Sequence, residues 1–495
     1  MLALPRPWPS SGGRHTSNRP PWRRAESRLC CTGARAHDVY LRYSSSKPTN
    51  STQVVDVRHP TEAVEQSRRC YSAADDYVGV YSHGMAGMAA SHGAPRTSRL
   101  RQHRQIAEVK PVVAQKRLAR VGRARPKTSA PRSPGTVLVT GGAGYIGSLL
   151  VRRLLARGLN VRVLDALLYG DSALRDVLDH PNLALVRADL RRPDTMAHAF
   201  RDVDAVVHLG AIVGDPACAL DPYFTAEINV DGTRSIGELC KRNGVRRLIF
   251  ASTCSVYGAS DDILDEGSAL NPVSLYAESK IASEQLLLAL HDDTFAPVLL
   301  RFATAYGHSP RPRFDLVVNL LTAKAVAGDP ITIHGGEQWR PFVHADDIAR
   351  AVILALDAPR RTVAGQAFNV GSNEQNHQLS EVGATIKELI PAADVTTSPF
   401  SLDRRNYRVR FDKIRATLGF RPIHHLRSSI STLQAALESG SIGSYLDDYY
   451  NNCQFLRAAM LDNHWLAMHK PDTDVVGMDD VLANTIRTTP TVSIA

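Results

Sequence analysis

The sequence predicts an α/β fold: a doubly wound parallel sheet with a smaller C-terminal region beside it. Three observations carry that prediction. Short apolar runs recur from residue 136 onward and are unbroken rather than alternating, as burial on both faces of a parallel sheet requires. Amphipathic stretches separate them. Three glycines cluster where the first run gives way to the first such stretch.

Taken in order, TVLVT (136–140) is the first strand and SLLVRRLLARG (148–158) the first helix, with Gly158 placed to cap its C-terminus. NVRVLD (160–165), LALVRAD (183–189) and AVVHLG (205–210) follow as strands. GTRSIGELCKRNG (232–244) is a helix closed by Gly244, and RLIFAS (247–252) and APVLLRF (296–302) are further strands. Right-handed crossovers between parallel strands put helices on both faces, which gives the doubly wound arrangement. Beyond residue 306 the pattern loosens: the proline-rich GHSPRPRF, a helix in LVVNLLTAKAVAG, a strand in ITIH and a helix in DDIARAVILALD. This region, 306–457, is expected at the carboxyl edge of the sheet and partly interleaved with it.

Charge divides the 495-residue chain. Residues 1–134 hold 24 Lys and Arg against 8 Asp and Glu, or +16, whereas the rest holds 35 against 41, or −6. That first segment is rich in Arg, Ser, Pro and Gly and shows no sustained period, so it reads as a disordered basic arm. It reads as a solvated extension rather than a nucleic-acid-binding element. Arginine and serine suit an organellar transit peptide, but Asp38, Asp56, Glu62, Glu65, Asp75 and Asp76 count against one. Residues 458–495 read as a polar tail. Seven cysteines, an odd number without CxxC spacing, imply free thiols and no structural metal. With no apolar run of membrane length and no secretory h-region, the expectation is a cytoplasmic protein.

The chemistry begins at TGGAGYIG. Gly141, Gly144 and Gly147, with Tyr145 and Ile146 between them, stand at a strand-to-helix junction, where backbone amides at a helix N-terminus receive a pyrophosphate. Asp165 ends the second strand eighteen residues after Gly147; a carboxylate there binds ribose hydroxyls and repels a 2′-phosphate, which favours NAD over NADP. In SLYAESK, Tyr276 and Lys280 are four apart and share a helical face, so the ammonium is expected to lower the phenol pKa.

The glycine motif, the acidic strand end, HLGAIVG, INVDGT, FASTCSVYG, SLYAESK and GGEQWRPFVHADDIARA, in that order, resemble the extended short-chain dehydrogenase/reductase family. The likeness is to its NAD-dependent nucleotide-sugar epimerase/dehydratase branch, UDP-glucose 4-epimerase-like, and spans about residues 136–420. It implies a Rossmann domain at 135–305 and a substrate-binding region at 306–457. It further implies that Asp189 and Leu190 contact adenine, that Leu209, Gly210 and Ala211 line the cofactor cleft, and that Asn229 stands near an active-site water relay. Thr253 would hold the sugar hydroxyl, Tyr276 exchange its proton and Lys280 hold the nicotinamide ribose. Asn319, Arg340 and Arg405, with Arg404 close behind, would bind the diphosphate. His344 and Asp346 read as structural, joining strand end to helix N-cap.

Dehydratases of the branch carry Asp-Glu after the catalytic Thr, but this chain has Cys254-Ser255, which disfavours dehydration. Cys254 is expected to pack rather than react. Alanine at 303 departs from the family's asparagine and leaves the sugar open. The expected activity is therefore NAD-dependent epimerisation of a nucleotide-diphosphate sugar through a keto-sugar. The alternatives are an NAD(P)H-dependent keto-sugar reductase and, in another class, a non-catalytic dinucleotide-binding or scaffold protein. The resemblance also implies a homodimer through two long helices.

Overall fold

The computed structural model describes residues 135–399, Asp403 and residues 405–461. The basic arm, Arg404 and the tail beyond 461 lie outside the described residues. Seven parallel strands form the central sheet: β1 (Thr136–Thr140), β2 (Asn160–Asp165), β3 (Leu183–Arg187), β4 (Ala205–His208), β5 (Arg247–Thr253), β6 (Ala296–Phe302) and β7 (Ala367–Val370). Their order is β7-β6-β5-β4-β1-β2-β3, so the winding reverses between β1 and β4. In such a sheet the ligand crevice opens at the carboxyl ends of the strands on either side of that reversal.

Alternation along β1 explains the two covering layers. Val137 and Val139 pack with Leu150, Val151 and Leu154 of α1 (Gly147–Ala156), whereas Leu138 joins Phe200, Ile236 and Leu287 on the opposite face. Ile236 belongs to α2 (Gly232–Arg242) and Leu287 to α3 (Leu275–Ala289). Both predicted capping glycines are left-handed, Gly158 at φ +74° and Gly244 at +70°.

The later region adds α4 (Val317–Ala327), α5 (Ala345–Asp357), α6 (Leu379–Leu389) and α7 (Leu426–Glu438). Val318, Phe342, Val382, Ile386 and Ile430 gather there into a separate small core. The strand Trp339–His344 links this region back, pairing with Thr304–Tyr306 just beyond β6. β7 completes the main sheet from sequence far downstream, beside β6. A final helix, α8 (Asn452–Leu461), runs past residue 457 because Leu456 is buried against the body of the protein. Among the described residues no helix is long and apolar enough to cross a membrane.

Candidate active site

At the end of β1 the chain turns through Gly141, whose φ of +70° is strained for any other residue. A Cβ there would lie 2.7 Å from the backbone nitrogen of Gly210, and one on Gly147 only 2.1 Å from the Gly141 carbonyl oxygen. At Gly144 the same oxygen would be 3.2 Å away. The turn therefore nests between the ends of β1 and β4 with no room for side chains. α1 begins with neither a side-chain cap nor an acidic residue in its first turn, unlike α3, capped by Ser274, and α5, capped by His344. Its orphan amides and positive dipole end suit an anion, and the bare turn fits a pyrophosphate.

Asp165 closes the other side of the crevice. Its carboxylate accepts from the backbone N–H of Ala143 at 3.0 Å and of Leu167 at 2.8 Å, leaving lone pairs for ribose hydroxyls. Burial pushes this carboxyl up, and the two N–H donors and Arg311 oppose that. Leu190 packs at Gly210 and Gly232, where added Cβ atoms would meet it at 3.2 and 3.0 Å. Asp189 is paired with Arg191 at 2.6 Å. Leu209, Gly210 and Ala211 line the strand end, half-buried. The side chains of Tyr145 and Ile146 turn into the protein: the Tyr145 hydroxyl donates to the Gly307 carbonyl at 2.7 Å, and Ile146 packs on the main core. What these two can offer a phosphate is backbone N–H.

Thr253 ends β5, and Tyr276 and Lys280 rise beside it on α3. Thr253 is near enough to oppose the upward shift of the Tyr276 phenol, while Lys280 Nζ lies 5.9 Å from the tyrosine ring centre and donates to the Ala251 carbonyl at 3.0 Å. Asn229 sits on a π-turn, Glu227–Asp231, and its amide exchanges hydrogen bonds with the backbone of Ile212 at 2.8 and 2.9 Å. It also donates to Ser279 Oγ at 3.1 Å, tying the loop after β4 to α3. So the three expected catalytic residues and Asn229 come together.

The electrostatics differ from the expectation in one respect. The phenol of Tyr276 is raised, not lowered: burial acts most, Cys218 and Asp215 add to it, and Arg313 and Thr253 oppose. Lys280 is buried too and is itself lowered to about 8, with Cys218 and Glu284 opposing. Spacing on a helix brings the two groups near, but desolvation decides the direction of the shift. Tyr276 thus holds its proton and Lys280 sits poised near neutrality.

On the expected substrate side, Arg340 and Arg405 converge on Asp403, at 3.0 and 2.6 Å. Arg405 also pairs at 3.0 Å with Asp215, which accepts from Ser274, the cap of α3. The guanidinium pair is thereby connected to the helix that carries Tyr276. The amide of Asn319, expected to meet a diphosphate, is instead committed to the protein. It accepts from Gly307 N–H at 2.8 Å and donates to the Arg313 carbonyl at 2.9 Å and the Tyr145 hydroxyl at 3.3 Å. Cys254 is fully buried with its thiol on the Arg301 carbonyl at 3.2 Å, in keeping with a packing role. His344 Nδ1 accepts from Asp346 N–H as the cap of α5.

Several residues at the site escape sequence reasoning. His208 bonds Thr140 and Thr233, fastening the glycine turn to α2; a histidine inside the apolar run AVVHLG was the signal for it. Glu284 and Arg301 form a buried pair at 2.6 Å behind Lys280, and Ser252 donates to the same carboxylate. Arg313 acts on Tyr276, and no spacing in the sequence points to that.

The model of the NAD dependent epimerase/dehydratase family matches residues 137–371. A UDP-glucose 4-epimerase of Streptococcus mutans is 31% identical over 313 residues, which cover 58% of this chain and 91% of that protein. A dTDP-glucose 4,6-dehydratase of Actinoplanes sp. is 30% identical over 308 residues, covering 58% and 92%. Among solved structures, MoeE5 in complex with UDP-glucuronic acid and NAD is 29% identical with a TM-score of 0.55, covering 62% of this chain and 100% of that one.

Proposed function

Since the chain belongs to the NAD-dependent epimerase/dehydratase family and is an enzyme with NAD as its cofactor, we propose that it epimerises a nucleotide-diphosphate sugar through a transient keto-sugar. Bound NAD supplies the site with a hydride acceptor that can return what it takes. The observation that carries the reading is the meeting of Thr253, Tyr276 and Lys280 beside a cysteine and a serine, where a dehydratase needs carboxylates.

Thr253 holds the reacting sugar hydroxyl; Tyr276 takes that proton in its phenolate form, becoming the neutral phenol that burial favours, and gives it back when the hydroxyl re-forms. Lys280 contributes positive charge while protonated, which steadies the phenolate that forms in passing. Asp215, the carboxylate that acts on Tyr276, is held by Ser274 at 2.8 Å and Arg405 at 3.0 Å, so it serves the scaffold rather than water elimination. Arg340 and Arg405 supply paired N–H donors to the diphosphate, a geometry that guanidinium matches better than ammonium. Both are already steadied by Asp403, which orients them at some cost to their net charge.

The test is incubation of the purified protein with UDP- and dTDP-hexoses without added cofactor, followed by NMR of the sugar. Interconversion of two epimers supports the reading. Product formed only with stoichiometric NADH points to the reductase, and a 4-keto-6-deoxy product would refute both.

A further inference from the structure

Residues 442–461 bridge the loop that follows Asp165 and the loop that follows β4. On the cofactor side, the Tyr449 hydroxyl bonds Ser172 at 3.0 Å, and the Phe455 ring lies 4.8 Å from that of Tyr169. Tyr169 and Ser172 belong to the loop that follows Asp165. Further along the chain, the Phe314 N–H donates to the Tyr450 carbonyl at 2.8 Å, and Asn452 reaches the Val213 carbonyl, in the loop after β4, at 3.5 Å. Leu456 is 1% exposed within the apolar cluster of Ile212, Cys218 and Phe224, against which Tyr276 also packs.

Arg311 stands at the junction. Its guanidinium carbon is 3.8 Å over the centre of Tyr169 and 5.8 Å from that of Tyr449, whose carbonyl accepts from Nη2 at 3.2 Å. The side chain is 2% exposed, and its Nε has no hydrogen-bond partner among the described residues. Its charge is felt by Asp165.

We propose that residues 442–461 are a latch that retains the dinucleotide between turnovers, fastened by Arg311 between Tyr169 and Tyr449. This rests on the reading above. An epimerase regains its cofactor unchanged at the end of each cycle and gains nothing from releasing it, whereas a reductase must exchange it. A ligand running from Asp165 to Tyr276 leaves only when this bridge opens, and opening exposes Phe455 and Leu456 and uncouples the cation from its rings.

The experiment compares the full chain, a chain ending at Gly440, Arg311→Met and Arg311→Lys. Each is passed into cofactor-free buffer, and bound dinucleotide is followed over time by mass spectrometry. The truncated chain and Arg311→Met are expected to release it at least about tenfold faster, while Arg311→Lys, which keeps a cation over Tyr169, retains most of the hold. The point variants keep the test decisive should truncation prevent folding. Equal release from the full chain and Arg311→Met, or equally fast release from the Met and Lys variants, overturns the latch alone. A full chain that carries no dinucleotide overturns it together with the cofactor assignment.

Discussion

Replacing His208 by glutamine should flatten the acid limb of stability. His208 Nδ1 accepts from Thr140 Oγ1 at 2.7 Å, and Nε2 donates to Thr233 Oγ1 at 3.0 Å. That tautomer follows from the network, because Thr233 donates onward to the Asn229 carbonyl and Thr140 accepts from Gly210 N–H. Burial, helped by the charge of Lys280, pushes the imidazole from 6.5 down to about 3. The folded value lies below the unfolded one, so this stability is complete above pH 6.5 and lost as the pH falls toward 3. In that window the unfolded chain holds one proton more, which costs the fold about 1.4 kcal/mol per pH unit, or about 2 kcal/mol between pH 6.5 and 5. His344, lowered to about 4 by burial, adds a similar slope. Urea unfolding at pH 7 and pH 5 measures the sum. The His208→Gln amide keeps one donor and one acceptor but cannot titrate, so its loss between the two pH values should be smaller than wild type by about 2 kcal/mol. Equal losses in the two proteins would refute the buried neutral imidazole.

Four further outcomes follow from the same geometry. Tyr276→Phe should lower kcat by about 10²–10⁴-fold, as loss of a proton carrier does, while NAD measured by mass spectrometry stays bound. Glu284→Gln leaves the buried Arg301 without its counter-charge and should cost about 3–5 kcal/mol by denaturant unfolding. The same change removes an anion that helps Lys280 keep its proton, so the alkaline limb of kcat/KM, expected near pH 8, should move to lower pH. Gly141→Ala sets a Cβ 2.7 Å from Gly210 N at a φ of +70°, and should abolish dinucleotide retention.

The sheet was legible because burial on both faces turns strands such as TVLVT and APVLLRF into continuous apolar text. The glycine turn was legible because steric exclusion at Gly141 and Gly147 leaves no other residue possible. β7 was not, since AFNV is four residues long and owes its place to pairing with β6. The Tyr276–Lys280 pairing was visible in spacing, yet the direction of the tyrosine shift was not. Burial decides it, and burial there comes partly from Leu456 and its neighbours, which reach Tyr276 from the far end of the chain. Arg311 and Tyr169 are likewise joined only by folding. Asn319 illustrates the converse: its place in a motif suggested a ligand contact, whereas the folded loop engages its amide from three sides.

The central claim is that one bound NAD takes a hydrogen from the sugar and returns it to the same molecule. It is tested most directly with a UDP-hexose deuterated at C4, turned over in ordinary water by protein carrying only its own cofactor. The account predicts an epimer that keeps its deuterium, with no NADH accumulating. Deuterium lost to solvent, or carried away on free NADH, would contradict it.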